Sequence, residues 1–141
     1  MDDDLDTFLT HHKNKMNVLV HVICGYVYMS LLFSLCNRIY PNAGTFLLLC
    51  YTCCMLYKYF KYSLLFLASA FCIWNAATIC EHMSITSSVI LLITVYLVIP
   101  EVSHLVFNEK PVLQVDTFTY QDFVHNALNF LTYSLLAAID K

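Results

Sequence analysis

Charged residues are scarce in this chain. Only 12% of its 141 residues are Asp, Glu, Lys or Arg, whereas an average soluble domain carries about 25%. Apolar residues make up 60% of the sequence. A chain of this length has one core at most, and its few polar residues are not enough to cover that core in water. The composition therefore predicts an integral membrane protein whose main partner is the lipid bilayer.

Other signals are also absent. With 2 Gly and 3 Pro the chain has little room for flexible linkers. The 7 Lys and Arg are scattered, so no basic surface for nucleic acid is expected. The sequence contains no HExxH pattern, no Gly-rich phosphate loop and no nucleophilic serine elbow. These absences argue against nucleic-acid binding and against the hydrolase and nucleotide-binding classes that such motifs identify.

The cysteines do not form a disulfide framework. Their number, 7, is odd, and nearly all of them lie inside or at the edge of apolar runs. In such positions cysteine behaves as a small apolar residue. We expect all of them to be free and none to be catalytic.

Apolar runs separated by polar turns predict an all-α fold, a polytopic membrane helix bundle of four to five spans. The second run is short for a spanning helix, so whether it crosses stays open. Pro100 suits the first position of a new short helix and is expected to end the fourth run. We expect a polar cytosolic N-terminal segment at 1–16 and a single transmembrane domain at 17–141. The runs are 17–36, 45–57, 62–80, 85–99 and 120–139.

The histidines are concentrated on one predicted face. If all five runs cross, the segment before the first run, the 58–61 link and the loop after Pro100 share a face that holds five of the seven basic residues. The positive-inside bias places this face in the cytosol and the two chain ends on opposite sides. His82 falls on the other face. The histidines on the first face are His11, His12, His21, His104 and His125.

This concentration of imidazoles has two main readings, and a third, a proton or metal conduit, is disfavoured because the opposite face offers only Glu81 and His82. Polar groups at membrane depth usually face a bundle interior, and His21 lies about one turn inside the first run, with Asn17 four residues earlier on the same helical face. Histidines with nearby carboxylates, and no converging thiolates, suit Fe(II) or Zn(II), and spacing does not separate the two metals. The alternative is histidines that bond to carbonyls or lie at the interface, in a non-enzymatic membrane scaffold or assembly protein.

Two motifs carry a family resemblance. The run from His12 through Asn17 to His21, followed by an apolar span, resembles the opening of the endoplasmic-reticulum 2-hydroxy-fatty-acid dioxygenases, which begins with a His, then an Asn, then a His four residues on. The family's second landmark is Gly-His followed by Phe, Glu and a Pro-Ala-Leu-like end. Its counterpart here is Ser-His-Leu-Val-Phe-Asn-Glu-Lys-Pro-Val-Leu at 103–113, so Ser103 replaces the Gly and Glu109 is displaced by one position. The resemblance covers roughly residues 8–113.

The resemblance implies an activity and a set of residues. The activity is Fe(II)-dependent α-oxidation, in which O₂ converts a 2-hydroxy fatty acid to a fatty acid one carbon shorter, in the endoplasmic-reticulum membrane with the site facing the cytosol. His12, His21 and His104 are then the catalytic metal ligands, with Glu109 as a further ligand. His125 matches no family position and is a ligand candidate only by its place on the first face. Residues expected beside the metal or the substrate are Asn17, Lys13 and Lys110.

Overall fold

A computed structural model describes the backbone of residues 3–109 and 120–139, with side chains throughout except at 3, 4, 7, 120–126 and 128. Within these ranges the chain is helical and contains no strand, which confirms the all-α class. A 3₁₀ turn, Phe60–Tyr62, precedes α4, and a π-helical segment, Thr94–Val98, joins α5 to α6. The α-helices are α1 (Asp3–His11), α2 (Lys15–Ile39), α3 (Ala43–Lys58), α4 (Ser63–Cys80), α5 (Ile85–Ile93), α6 (Ile99–Val106) and α7 (Tyr120–Ile139).

Three helical stretches of the described chain are long and apolar enough to cross a membrane. They are Lys15–Ile39 with 25 residues, Phe60–Cys80 with 21 and Ile85–Val106 with 22, against the roughly 20 that a spanning helix needs. Large apolar side chains such as Leu64 and Phe71 are exposed on α4, as expected of a surface that contacts lipid. α3 has 16 residues, so it is about 24 Å long and shorter than the ~30 Å hydrocarbon layer. The three long stretches indicate a membrane protein.

The first span is longer at both ends than its apolar run. The side-chain Oδ1 of Asn14 accepts a hydrogen bond from the Met16 N–H at 2.8 Å, which caps the helix and lets it begin at Lys15. At the other end the helix continues through Asn37 and Arg38. These residues do not stop it because the Asn37 amide donates to Glu81 Oε1 at 2.9 Å and the Arg38 guanidinium donates to the Cys80 carbonyl.

Pro100 lies in the first turn of a new short helix, α6, as predicted, but it does not end the fourth span. Helix continues to Val106, and the turns before the proline widen into the π-helical segment, where the Ile99 N–H bonds to the Thr94 carbonyl five residues back. A proline inside an α-helix lacks its N–H and crowds the carbonyl four residues earlier. A wider turn removes that crowding, and π-segments of this kind are a common accommodation inside α-helices.

The chain forms two compact units. The terminal unit comprises Met1–Gly25 and Ile93–Lys141, and the central unit comprises Tyr26–Leu92. All seven cysteines are free, as predicted.

Within the terminal unit, α7 runs antiparallel to the first part of α2. A Cβ added to Gly25 would meet Leu131 atoms at 3.0–3.1 Å, and further along the pair Lys15 and Val18 share a groove with Ala137. The end of α7 therefore lies beside the start of α2. This arrangement does not agree with the prediction that the two chain ends lie on opposite sides, because that prediction has the last apolar run begin, not end, on the face where the first run begins.

Within the central unit, the turn between α2 and α3 depends on a glycine. Asn42, just before α3, has a left-handed φ of 66°, a conformation that asparagine tolerates better than most residues. The turn brings Gly44 against the backbone of α2, where an added Cβ would lie 1.9 Å from the Phe33 carbonyl oxygen. The two helices can pack this closely only because residue 44 has no side chain.

We expect Gly44→Ala to lower the thermal stability of the detergent-purified chain, because its methyl group would overlap a backbone atom that cannot rotate away. Overpacking of this kind typically costs about 1–3 kcal/mol. Gly25→Ala is the matched comparison and should lower the stability less, because its added Cβ would meet the single residue Leu131 at 3.0–3.1 Å. Equal melting temperatures for Gly44→Ala and the parent protein would contradict the close packing.

Candidate metal centre

Three histidines from separate helical elements meet inside the terminal unit. His12 directly follows α1, His21 lies in α2 and His104 lies in α6. Each offers a ligand atom, and these atoms all lie within 4.8 Å of one another. The exposed fraction of each residue is 2% or less. Imidazoles are rarely buried to this degree without a partner that satisfies their nitrogens.

Two of the rings are oriented by backbone carbonyls. His12 Nδ1 lies 2.8 Å from the Phe8 carbonyl oxygen, and His21 Nδ1 lies 2.8 Å from the Asn17 carbonyl oxygen. A carbonyl only accepts hydrogen bonds, so these contacts assign the ring proton to Nδ1 in both residues. The Nε2 atoms of both rings are then left with lone pairs. Metal-bound histidines usually donate their second ring N–H in this manner.

The two lone pairs face each other. His12 Nε2 and His21 Nε2 are 3.1 Å apart, a separation at which two unprotonated nitrogens repel unless a cation lies between them. Nitrogens bound at 2.0–2.1 Å to one metal, at angles of 90–109°, would be about 2.8–3.4 Å apart. The observed separation falls in that range. The donor set of these two rings therefore fits a transition-metal ion.

His104 adds a third imidazole. Its ring centroid lies 4.6 Å from that of His12 and 5.0 Å from that of His21. Its Nε2 is buried and has no hydrogen-bond partner among the described residues. A proton shared between His12 and His21 would satisfy two nitrogens and leave this one orphaned, whereas a metal ion can take all three. The group is thus close enough, and chemically suited, to hold a metal.

No family model, curated protein or solved structure matches the chain.

Asn17 connects the members of this site. It is fully buried, its main-chain carbonyl accepts from His21, and its side-chain Oδ1 accepts from Ser103 Oγ at 2.5 Å. Its Nδ2 donates to Glu109 Oε2 and lies 3.4 Å from His104 Nδ1. The contact with His104 is long for a hydrogen bond. Asn17 thus touches two of the three imidazoles and ties α2 to α6, in the position beside the metal that the resemblance implies.

Glu109 lies outside the three-histidine group. Its Oε1 accepts from the backbone N–H groups of Lys13 at 2.5 Å and Asn14 at 2.6 Å, while Oε2 accepts from Asn17. A carboxylate held at the start of α2 also interacts favourably with the helix dipole. In this structure Glu109 fastens the end of α6 to the link between α1 and α2, and its hydrogen bond from Asn17 connects it to the histidine group.

The remaining predicted residues are placed as follows. Lys13 is exposed, and its backbone N–H belongs to the Glu109 contact. Lys110 and the side chain of His125 lie outside the described residues, so their roles stay predictions. His82 is exposed in the turn after α4, in the central unit, and does not belong to the three-histidine group.

Aromatic neighbours of the site were not predicted from the sequence. Phe8 stacks on His12 with ring centroids 3.7 Å apart and also supplies the carbonyl that orients this ring. Phe130 lies 5.5 Å from His21, and Phe8 lies 6.0 Å from Tyr133. The only signal available for Phe8 was its position four residues before His12, one helical turn away. The α7 residues carry no local signal, because they are ordinary members of an apolar run.

We expect His21→Ala and His104→Ala each to abolish stoichiometric metal binding, and His12→Ala to weaken it strongly, because each change removes one of three converging nitrogens. Metal content would be measured by mass spectrometry on detergent-purified protein whose helicity is checked by circular dichroism. His82→Ala is the control and should retain the metal. Full occupancy in folded His21→Ala would show that the three histidines are not one site.

Asn17→Ala should weaken metal affinity without eliminating it, since the side chain orients ligands but is not one. Loss of such a neighbour typically costs about 10–100-fold. The control is Asn75→Ala, which removes an exposed amide bonded only to the Phe71 carbonyl within α4. Competition with a chromophoric chelator would report both affinities. An unchanged affinity in Asn17→Ala would remove this residue from the site.

Proposed function

We propose that this protein is a membrane-embedded non-haem Fe(II) dioxygenase that shortens 2-hydroxy fatty acids by one carbon. The observation that carries the proposal is the buried three-histidine group, in which two carbonyl-anchored imidazoles turn their Nε2 atoms toward each other at 3.1 Å. Burying three imidazoles costs folding free energy unless their nitrogens bind a partner such as a metal ion. The resemblance of the His12–His21 and 103–113 motifs to the dioxygenase family supports the choice of reaction.

In this proposal His12, His21 and His104 hold the iron. Three neutral imidazoles leave coordination positions open and add no negative charge, so an anionic substrate can approach. The chemistry that Fe(II) supplies when bound is the activation of O₂ beside a 2-hydroxy acid, whose hydroxyl and carboxylate are suited to chelation. Zn(II) would fit the same nitrogens but would not support an oxidation.

The protein's own groups have defined tasks in the reaction. The carbonyls of Phe8 and Asn17 fix two imidazoles in the tautomer that a metal requires. Asn17 forms hydrogen bonds with Ser103 and Glu109, and these bonds hold α2 and α6 together beside the histidines. One 2-hydroxy acid and one O₂ balance as the shortened acid, CO₂ and water. The reaction therefore needs no further reductant.

The lipid nature of the substrate is supported by the surroundings of the site. A groove of about 190 Å³ in the terminal unit has one cation at its edge and apolar walls, and one of its residues, Val18, is a single turn before His21. An amphiphile with an anionic head and an acyl chain matches this combination. Lys13, Lys110, His125 and Glu109 are further candidates for steering the carboxylate or completing the site. The groove is lined by Lys15, Val18, Leu19, Ala137 and Ala138.

We also propose an endoplasmic-reticulum location, four to five spans and a site that faces the cytosol. The support is the excess of basic residues on the predicted first face, five of seven, together with the family resemblance.

Aerobic turnover tests the proposal directly. Metal-free protein loaded with Fe(II) should convert a long-chain 2-hydroxy fatty acid to the acid one carbon shorter, detected by mass spectrometry, with one O₂ consumed per product. The same protein loaded with Zn(II) should be inactive, as should Fe(II)-treated His104→Ala. The non-hydroxylated fatty acid is the matched substrate control. Binding of iron without turnover would retain the metal centre and reject the dioxygenase, whereas absence of metal would favour a non-enzymatic scaffold.

A further inference from the structure

A second group of polar side chains lies in the central unit, where α2 and α4 end. A cavity of about 380 Å³ opens there, which is within the roughly 300–1,000 Å³ of typical small-molecule sites. We call it the helix-end cavity. It shares no residue with the three-histidine group. Its lining residues are Asn37, Arg38, Pro41, Asn42 and Glu81.

The helix-end cavity contains two opposite charges that do not pair with each other. Glu81 Oε1 accepts from the Asn37 amide at 2.9 Å, and an Arg38 Nη2 N–H donates to the Cys80 carbonyl. Within residues 3–109 and 120–139, neither charged group forms an ion pair, and the buried Arg38 Nε has no hydrogen-bond partner. An arginine and a glutamate on one small cavity would ordinarily be expected to bridge. Their separation leaves a cationic and an anionic position available to the same ligand.

The ends of two candidate spans place this cavity at headgroup depth. α2 ends at Ile39 and α4 at Cys80, so the polar residues of the cavity lie in the last turn of α2 or directly after one of these two helices. Ile39 is 85% exposed and Tyr40 is 71% exposed beside the cavity. Tyrosine is enriched at the membrane–water boundary, where its ring contacts acyl chains and its hydroxyl contacts water.

We propose that the helix-end cavity binds the headgroup of a zwitterionic phospholipid, with Arg38 receiving the phosphate and Glu81 the ammonium group. A guanidinium presents parallel N–H donors that match phosphate oxygens. A carboxylate with one oxygen already oriented by Asn37 presents the other to a cation. An anionic headgroup would satisfy Arg38 but meet repulsion from Glu81, and a simple amine would leave Arg38 unsatisfied. Only a ligand that carries both charges satisfies both residues.

The experiment compares two short-chain lipids that share a phosphate and differ in the amine. The full chain in detergent is titrated with dihexanoyl phosphatidylethanolamine and with dihexanoyl phosphatidylglycerol, and binding is read from the shift in thermal unfolding. We expect saturable binding of the ethanolamine lipid, at least tenfold tighter than the glycerol lipid. Soluble phosphoethanolamine is the third probe and should bind at least tenfold more weakly than the lipid. Equal binding of this soluble ester would overturn a membrane ligand.

Variants separate the two charge positions. Glu81→Gln should erase the preference for ethanolamine, because it weakens that lipid by removing the partner of its ammonium group and strengthens the glycerol lipid by removing the repulsion. Arg38→Gln should weaken both lipids, and Arg38→Lys should do so less because it keeps the charge. Lys61→Gln removes an exposed cation outside the cavity and should bind like the parent protein. Glu81 is exposed, so Glu81→Gln tests the proposal even if Arg38→Gln does not fold. Equal affinity of the parent for the two lipids, or an intact preference in Glu81→Gln, would overturn the proposal.

Discussion

The contact between His12 Nε2 and His21 Nε2 is the interaction on which the terminal unit depends. Each ring donates its Nδ1 proton to a backbone carbonyl within its own helical segment, so each turns a lone pair inward. At 3.1 Å these lone pairs repel unless a cation separates them. The local hydrogen bonds of α1 and α2 thus place two nitrogen lone pairs where a cation between them is stabilised, and a metal ion can also bind the third imidazole, His104. A metal ion bound in this way would stabilise the approach of α1, α2 and α6 together.

The polar groups around this contact are satisfied by one another. A buried hydrogen-bonding group without a partner costs about 1–3 kcal/mol, which is a large part of the stability of a small protein. Asn17 lowers this cost, because its three polar groups serve His21, Ser103 and Glu109 at once. Glu109 in turn caps the start of α2 with its other oxygen. The His104 Nε2 is the exception, because it is buried and has no hydrogen-bond partner among the described residues, which leaves it available to a ligand.

The π-helical segment decides which face of α6 meets this cluster. Residues in an α-helix advance by about 100° each, so one additional residue in a turn rotates everything after it by that amount. Pro100 lies two residues after the segment, and Ser103 and His104 beyond it are both buried. A regular α-helix over the same residues would direct them about 100° away. The sequence suggests that Pro100 ends a helix. In the structure Pro100 instead accompanies the π-helical segment that orients His104.

The sequence by itself determined that the chain lies in lipid, that its fold is all-α, and which histidines are candidates for the metal centre. Its scarcity of charge and its apolar runs require helices in lipid, because backbone groups in hydrocarbon must bond within the helix. The position of the cysteines in apolar runs predicted that they are free. His12, His21 and His104 were identified from the two sequence motifs and from the predicted first face. Tertiary structure decided the convergence of the three rings, the attachment of Glu109 to the start of α2, and the antiparallel packing of α7 on α2. These features join residues far apart in the chain, and hydropathy and spacing describe only neighbours. The same limit explains why Pro100 was expected to end a helix: its effect depends on whether the preceding turns can widen, and that is settled by packing.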